Sequence, residues 1–325
     1  MSESAVITKD LTKNFGHFTA VDDFNLTIPE GELFGLLGPN GAGKTTIVRL
    51  LCTLIAPSSG TATVLGYDIQ EQAAEVRRRI GVVSDGVSLY KDLTIEENLK
   101  LLSTLYEIPN GQAETRIREL LDMFAFKEKA KRMVGALSSG WTKKALMCAS
   151  LLHRPSVLFL DEVTSGLDPQ SAVALREFTR NLCDQGVTVI WTTHYMGEPD
   201  KICDRIGIMF AGKLVKMGTP DELKRSVNDV SVVEVDTPNL SREQLQRLNQ
   251  KLNVNGYCKL NYEDSMLSIT SDRNDGIADE VAVALVEVGA KIRRINTKIP
   301  SLEEAFIALT GGEEEIDRFL EAGHK

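Results

Sequence analysis

Long apolar runs, paired cysteines and an excess of basic charge are all missing from this 325-residue chain. The longest continuous apolar stretches, such as Val157–Leu160 and Val187–Trp191, are short. A membrane-spanning helix needs about 18 or more such residues, so no segment is expected to cross a bilayer. The opening MSESAVITKD lacks the basic, apolar and small-residue order of an export signal, and a cytosolic location is expected. Cysteine is scarce and odd in number: Cys52, Cys148, Cys183, Cys203 and Cys258 form no CxxC pair. A disulfide framework or zinc site is therefore not expected; reduced, mostly buried thiols are. The histidines His17, His153, His194 and His324 are dispersed as well. Lys and Arg number 37 against 46 Asp and Glu, giving a net charge of −9. A chain that grips a nucleic-acid backbone usually shows the opposite excess, so no nucleic-acid partner is expected. Internal repeats and low-complexity linkers are also absent from the sequence.

What remains is a globular composition, 42% hydrophobic and 26% charged, with length for about two domains at roughly 150 residues each. Ala5–Thr8 and Phe24–Ile28 read as strands. Leu33–Leu37 is apolar without alternation, the pattern of a parallel strand buried on both faces. Thr45–Leu54 then has helical spacing and stops at Pro57-Ser58-Ser59-Gly60. Residues 76–154 are mostly helical, with Thr94-Ile95-Glu96-Glu97 as a capping box. Strands return at Val157–Leu160, Val187–Trp191 and Arg205–Phe210, with a helix at Ser171–Gln185, which indicates a parallel α/β sheet. From Val230 to Thr297 the order strand, helix, strand, strand, helix, strand predicts a small ferredoxin-like α+β module. A helix at Ser301–Leu309 and an acidic tail, Glu313–Lys325, follow.

Two segments carry chemistry. Gly38-Pro39-Asn40-Gly41-Ala42-Gly43-Lys44-Thr45, followed by Thr46, fits GxxxxGK[ST]. Glycines let backbone N–H groups turn inward around a polyphosphate, and the next helix adds its positive N-terminus. Lys44 supplies a point charge for the β- and γ-phosphates, and Thr45 a hydroxyl for Mg²⁺. The second segment is the apolar strand ending in Asp161-Glu162. Read alone, the acids could equally cap a helix. Beside a phosphate loop, acids at the carboxyl edge of a buried strand read as a site: Asp161 to hold Mg²⁺, Glu162 to polarise an attacking water.

These residues resemble the ATPase subunit of ABC transporters over about Ala5 to Ser226. Leu137-Ser138-Ser139-Gly140-Trp141 stands where the signature LSGGQ belongs, Ser165-Gly166-Leu167-Asp168 is similar to the D-loop, and His194 to the switch histidine. Phe15 stands where an aromatic ring stacks on adenine. The resemblance implies a P-loop NTPase cassette with a mixed-sheet core, an antiparallel β subdomain and a helical subdomain. It places the ATPase domain at residues 1–225, with the helical part at about 90–155; the ferredoxin-like module with its acidic tail, residues 226–325, is expected to be a separate regulatory or dimerising domain. The resemblance further implies ATP and Mg²⁺ as ligands and two subunits that sandwich ATP head to tail. Ser138, Ser139, Gly140 and Trp141 would then face the partner's γ-phosphate, Asp168 would communicate between sites, and His194 would hold the γ-phosphate beside Glu162.

The chain departs from the family pattern at four places. Asp85 replaces the Q-loop glutamine, where an acid can still ligate Mg²⁺. Ser139 replaces a glycine, Trp141 a glutamine, and Val163 the proline after the catalytic glutamate. The ending Pro300-Ser301-Leu302-Glu303-Glu304-Ala305-Phe306-Ile307-Ala308-Leu309-Thr310-Gly311 resembles that of ATPases serving ABC-2 type exporters. A working ATPase on the cytoplasmic face of the membrane, with a separate polytopic permease, is the expectation. Contact with that permease is expected around Ser84–Leu93, through exposed Val87, Leu89 and Tyr90. A regulatory module with little hydrolysis and a soluble ABC ATPase unconnected with transport are the alternative readings.

Overall fold

The computed structural model describes residues 3–84, 86–226, 231–252, 258–263, 265–271, 277–298, 300–312, 315–316 and 318–319. The chain divides into two compact units, Met1–Pro220 with Thr310–Lys325, and Asp221–Leu309. The division thus falls at 220, where the sequence suggests 225, and the last residues group with the first unit.

The first unit opens with two long antiparallel strands, β1 (Ser4–Phe15) and β2 (Phe18–Pro29). Both outrun the short apolar cores visible in sequence. Pairing continues across polar residues through register shifts, as at Thr8/Leu11, and Asp10 and Asp23 adopt left-handed backbone there. Strand β3 (Leu33–Leu37) is buried at every position and leads through the glycine-rich loop into α1 (Lys44–Leu51). Strands β4 (Ser59–Val64) and β5 (Tyr67–Asp68) complete an antiparallel sheet of order β2-β1-β4-β5.

Helix α2 (Ala73–Arg79) leads into β6 (Ile80–Val83). The helical portion follows as α3 (Ile95–Leu105), α4 (Asn110–Met123) and α5 (Ser139–Ser150). Thr94 caps α3 as its spacing predicts: the hydroxyl accepts from Glu97 N–H at 3.1 Å, and Glu97 accepts from Thr94 N–H at 2.8 Å. Leu89, expected on the surface, is instead 8% exposed, while Tyr90 is 63% exposed. An apolar side chain on a loop gains by folding inward, and a sequence with no periodicity there cannot say which of two neighbours does so.

Strand β7 (Val157–Asp161), helix α6 (Pro169–Asp184), β8 (Thr188–Thr193), the short α7 (Pro199–Ile202), β9 (Arg205–Phe210) and β10 (Lys213–Gly218) complete the unit. The second sheet runs β10-β9-β3-β8-β7-β6, parallel except for the β9–β10 hairpin. This order sets β8 between β3 and β7, so their carboxyl ends converge at one edge. A shared core around α1 includes Phe24, Phe34, Ile47, Leu50 and Phe159. Each such buried side chain contributes about 1.5–3 kcal/mol, which holds the two sheets against α1.

Helix α8 (Pro220–Arg225) starts at the division, and the second unit continues with β11 (Ser231–Asp236), α9 (Arg242–Leu252), β12 (Cys258–Glu263), β13 (Met266–Ser271), α10 (Ile277–Glu287), β14 (Arg294–Lys298) and α11 (Leu302–Leu309). Its antiparallel sheet has the order β12-β13-β11-β14. Val233, Val235, Leu267 and Ile269 on one face pack with Leu248, Val281 and Leu285 from α9 and α10. This is the βαββαβ arrangement of ferredoxin-like modules.

Phe159 is fully buried in β7, two residues before Asp161. Phe159→Ala should lower the unfolding free energy of the first unit by about 3–5 kcal/mol, read from urea denaturation. A loss below about 1 kcal/mol would contradict this packing account.

Candidate nucleotide site

The glycine-rich loop is shaped by close approach. A Cβ on Gly38 would lie 2.2 Å from the Met209 carbonyl oxygen, and one on Gly43 would lie 2.3 Å from that of Ala20. Gly43 also has φ 104°, a region closed to most side chains. Strand β9 and the β2 backbone thus press on the loop from outside and curl it. Gly43 caps α1 with no side-chain hydrogen bond, so the first N–H groups of the helix are left for an anion. A loop that a Cβ would clash with, ending on an uncapped helix, fits a polyphosphate.

Lys44 is 5% exposed. Its ammonium donates to the Gly38 and Pro39 carbonyls at 2.7 and 3.0 Å and pairs with Glu162 Oε1 at 3.2 Å. Burial pulls its pKa down, and the Glu162 carboxylate opposes that shift. Glu162 Oε2 meets His194 Nδ1 at 2.6 Å. With the carboxylate ionised, Nδ1 carries the proton and donates it. One carboxylate therefore bridges the loop lysine and the histidine that follows β8.

Asp161 Oδ1 accepts from Thr45 Oγ1 at 3.2 Å and from Thr192 Oγ1 at 2.5 Å. Burial pushes the Asp161 carboxyl up, while these two hydroxyls hold it down. Carboxylate and hydroxyl oxygens side by side are hard donors of the kind Mg²⁺ takes, so Asp161 and Thr45 fit that ion. Among the described residues no cluster of three or more histidine, cysteine or acidic side chains forms a separate metal site.

The other candidates lie around this centre. Phe15 ends β1, 49% exposed, with the Lys13 ammonium 5.2 Å from its ring centroid. Asn40 and Gly41 are exposed and Ala42 is buried; Thr46 belongs to α1. Ser138 precedes α5, and Ser139 and Gly140 are in its first turn; both serines are exposed. Trp141 sits 5.3 Å from Phe126 and takes Lys129 and Lys144 over its ring at 3.9 and 4.8 Å. Asp168 caps α6, accepting from Ser171 N–H at 3.0 Å and Ser171 Oγ at 2.6 Å, which holds its pKa down. Asp85 lies outside the described residues.

Two side chains in this neighbourhood were not singled out from the sequence. Thr192 holds Asp161, and its hydroxyl and carbonyl both accept from Glu162 N–H, at 3.3 and 3.2 Å. Glu198 accepts from Thr164 and Thr193 hydroxyls at 2.8 and 3.1 Å and from Arg176 at 3.2 Å. Its carboxylate therefore joins the loop after Glu162 to the end of β8. The polar Thr192-Thr193 pair closing an apolar strand is the sequence signal that could have pointed there. Thr192→Val removes the bond to Asp161 and should lower the affinity of the nucleotide complex for Mg²⁺ by about tenfold or more, the range for residues supporting metal ligands, measured by titrating the metal.

The ABC transporter family profile matches residues 21–165. Daunorubicin resistance ATP-binding protein DrrA2 of Streptomyces coeruleorubidus is 35% identical over 323 residues, covering 99% of this chain and 100% of that protein. Linearmycin resistance ATP-binding protein LnrL of Bacillus subtilis (strain 168) is 31% identical, covering 93% and 97%. The probable multidrug ABC transporter ATP-binding protein YbhF of Escherichia coli (strain K12) is 42% identical over 70% of this chain, which spans 39% of that longer relative. Among solved structures, an ATP-binding subunit of an ABC transporter superposes with a TM-score of 0.64 at 27% identity, over 68% of this chain and 92% of that one. The cassette MJ0796, dimeric and bound to ADP and Pi, superposes with a TM-score of 0.61 at 25% identity, over 66% and 98%. With relatives of matching length at 31–35% identity, this chain belongs to the family of ABC transporter ATP-binding proteins.

Proposed function

We propose that this chain is the ATP-hydrolysing motor of an exporter, working with a separate ABC-2 type permease at the cytoplasmic face of the membrane. The observation that carries the reading is the Glu162 carboxylate held between Lys44 and His194 at the mouth of the phosphate loop. Support for export comes from relatives of matching length that are named for drug resistance. Among the described residues no helix is long and apolar enough to cross a membrane, so on this reading the path for substrate is supplied by the permease.

In the proposed reaction, loop N–H groups and Lys44 bind the phosphates, and Phe15 stacks on the base. Asp161 and Thr45 would hold Mg²⁺, which when bound would offset negative charge on the phosphates. Glu162 accepts a proton as water oxygen bonds to the γ-phosphorus and the bond to the bridging oxygen breaks, releasing ADP and phosphate. His194, tethered to Glu162, contacts the γ-phosphate. Ser138 and Gly140 of a second copy close over the same phosphate, so ATP acts as the glue of a head-to-tail dimer. The Asp221–Leu309 unit is assigned a regulatory or dimerising role. Tyr90, the exposed aromatic after β6, is the side chain we place against the permease.

Glu162→Gln should lower turnover by about 10²–10⁴-fold, the usual worth of a general base, while retaining ATP and sedimenting as a dimer when MgATP is present. Lys44→Ala should lose ATP binding as well as turnover, measured with a fluorescent nucleotide. Native turnover by Glu162→Gln would sink the assignment.

A further inference from the structure

Lys143 lies on α5, one helical turn after Ser139. Its ammonium donates to the Glu162 carbonyl at 3.4 Å and, more closely, to the Ser165 carbonyl. Those oxygens belong to one tight turn, closed by Ser165 N–H donating to the Glu162 carbonyl at 3.2 Å. Glu162 itself has φ 53°, a left-handed backbone that a non-glycine residue keeps only when its surroundings hold it there. From the opposite side Thr192 holds the Glu162 N–H. Lys143 is thus the side chain that secures the carbonyl end of the peptide unit carrying the Glu162 carboxylate.

The setting strengthens this tie. Lys143 borders a cleft lined by Met123, Phe124, Val163, Leu167 and Phe178. Lys143 is part-buried there, so water competes less for these carbonyls than on an open surface. Among the described residues no carboxylate lies within ion-pairing distance of Lys143, so its charge is directed at the turn rather than at an acid.

We propose that Lys143 is a positioning residue that mechanically couples the signature helix to the Glu162 turn of the same chain. The proposal rests on the ATPase reading above. In a head-to-tail dimer α5 would meet the ATP bound by the second copy, whereas Glu162 serves the ATP bound by its own. Lys143 therefore links the two nucleotide sites: a shift of α5 toward the partner's phosphate pulls on the turn that aims Glu162. A Lys143 that merely packed would have no such consequence for catalysis.

The test uses the full chain, native and with Lys143→Met, which keeps most of the side-chain stem, and Lys143→Arg, which restores a cation. Phosphate release and fluorescent ATP binding are measured across ATP concentration, and amide hydrogen exchange is followed over residues 163–168. Lys143→Met should lower kcat at least tenfold, leave the ATP dissociation constant within about twofold, reduce cooperativity in ATP, and speed exchange in the turn at least tenfold. Lys143→Arg should recover most of the native kcat. Native kcat in Lys143→Met, or unchanged exchange in the turn, overturns the proposal; so does a parallel loss of ATP binding, which marks general damage. Absence of turnover in the native chain overturns the ATPase reading instead, and the exchange result still decides whether Lys143 holds the turn.

Discussion

The site turns on one carboxylate. Glu162 lies 3.2 Å from the Lys44 ammonium and 2.6 Å from His194 Nδ1, and its backbone is fixed by Thr192 on one side and Lys143 on the other. Removing one member of a buried charge pair leaves the other uncompensated, so each of these contacts constrains the rest. Lys44 cannot take its place unless the loop glycines admit the pressing strands, and His194 cannot reach Glu162 unless β8 runs beside β7. The carboxylate is thus the point at which loop, sheet and histidine are held to one geometry.

Strand order supplies that geometry. With β8 between β3 and β7, the glycine-rich loop, the Asp161-Glu162 pair and His194 leave neighbouring strands at the same sheet edge. The registers agree: Leu37 aligns with Thr193, and Asp161 with Thr192. Parallel strands leave their carboxyl ends open for ligands, and here polar residues cluster there while the strands behind them are buried. Phe24, Phe34 and Phe159, all fully buried, keep those strands in place beneath the site.

Much of this was legible in the sequence because the chemistry is local. A phosphate loop is one continuous segment, and an apolar strand ending in two acids announces its own edge. The capping box at Thr94 and the strand–helix order of the second unit are local in the same sense. Residues acting across long separations were not legible. Lys143 lies 19–22 residues from the carbonyls it holds, and Glu198 lies 34 residues from Thr164, which it joins to Thr193; no pattern in either segment marks the pairing. Leu89 is buried where no local pattern marks it, and β1 and β2 extend well past their apolar cores because ladder hydrogen bonds tolerate polar side chains at a sheet surface. Asp168 shows a further limit: it caps α6 here, a role compatible with any signalling role the family resemblance assigns to it.

On the reading proposed above, the bridged carboxylate works on a phosphate held by the adjacent loop. A direct test is phosphate release by the native chain, with the permease proposed above, at saturating ATP, with Mg²⁺ present and then chelated. Steady multiple turnover that stops on chelation and resumes when Mg²⁺ is restored is expected. Tight ATP binding with no phosphate released in the presence of Mg²⁺ would contradict it.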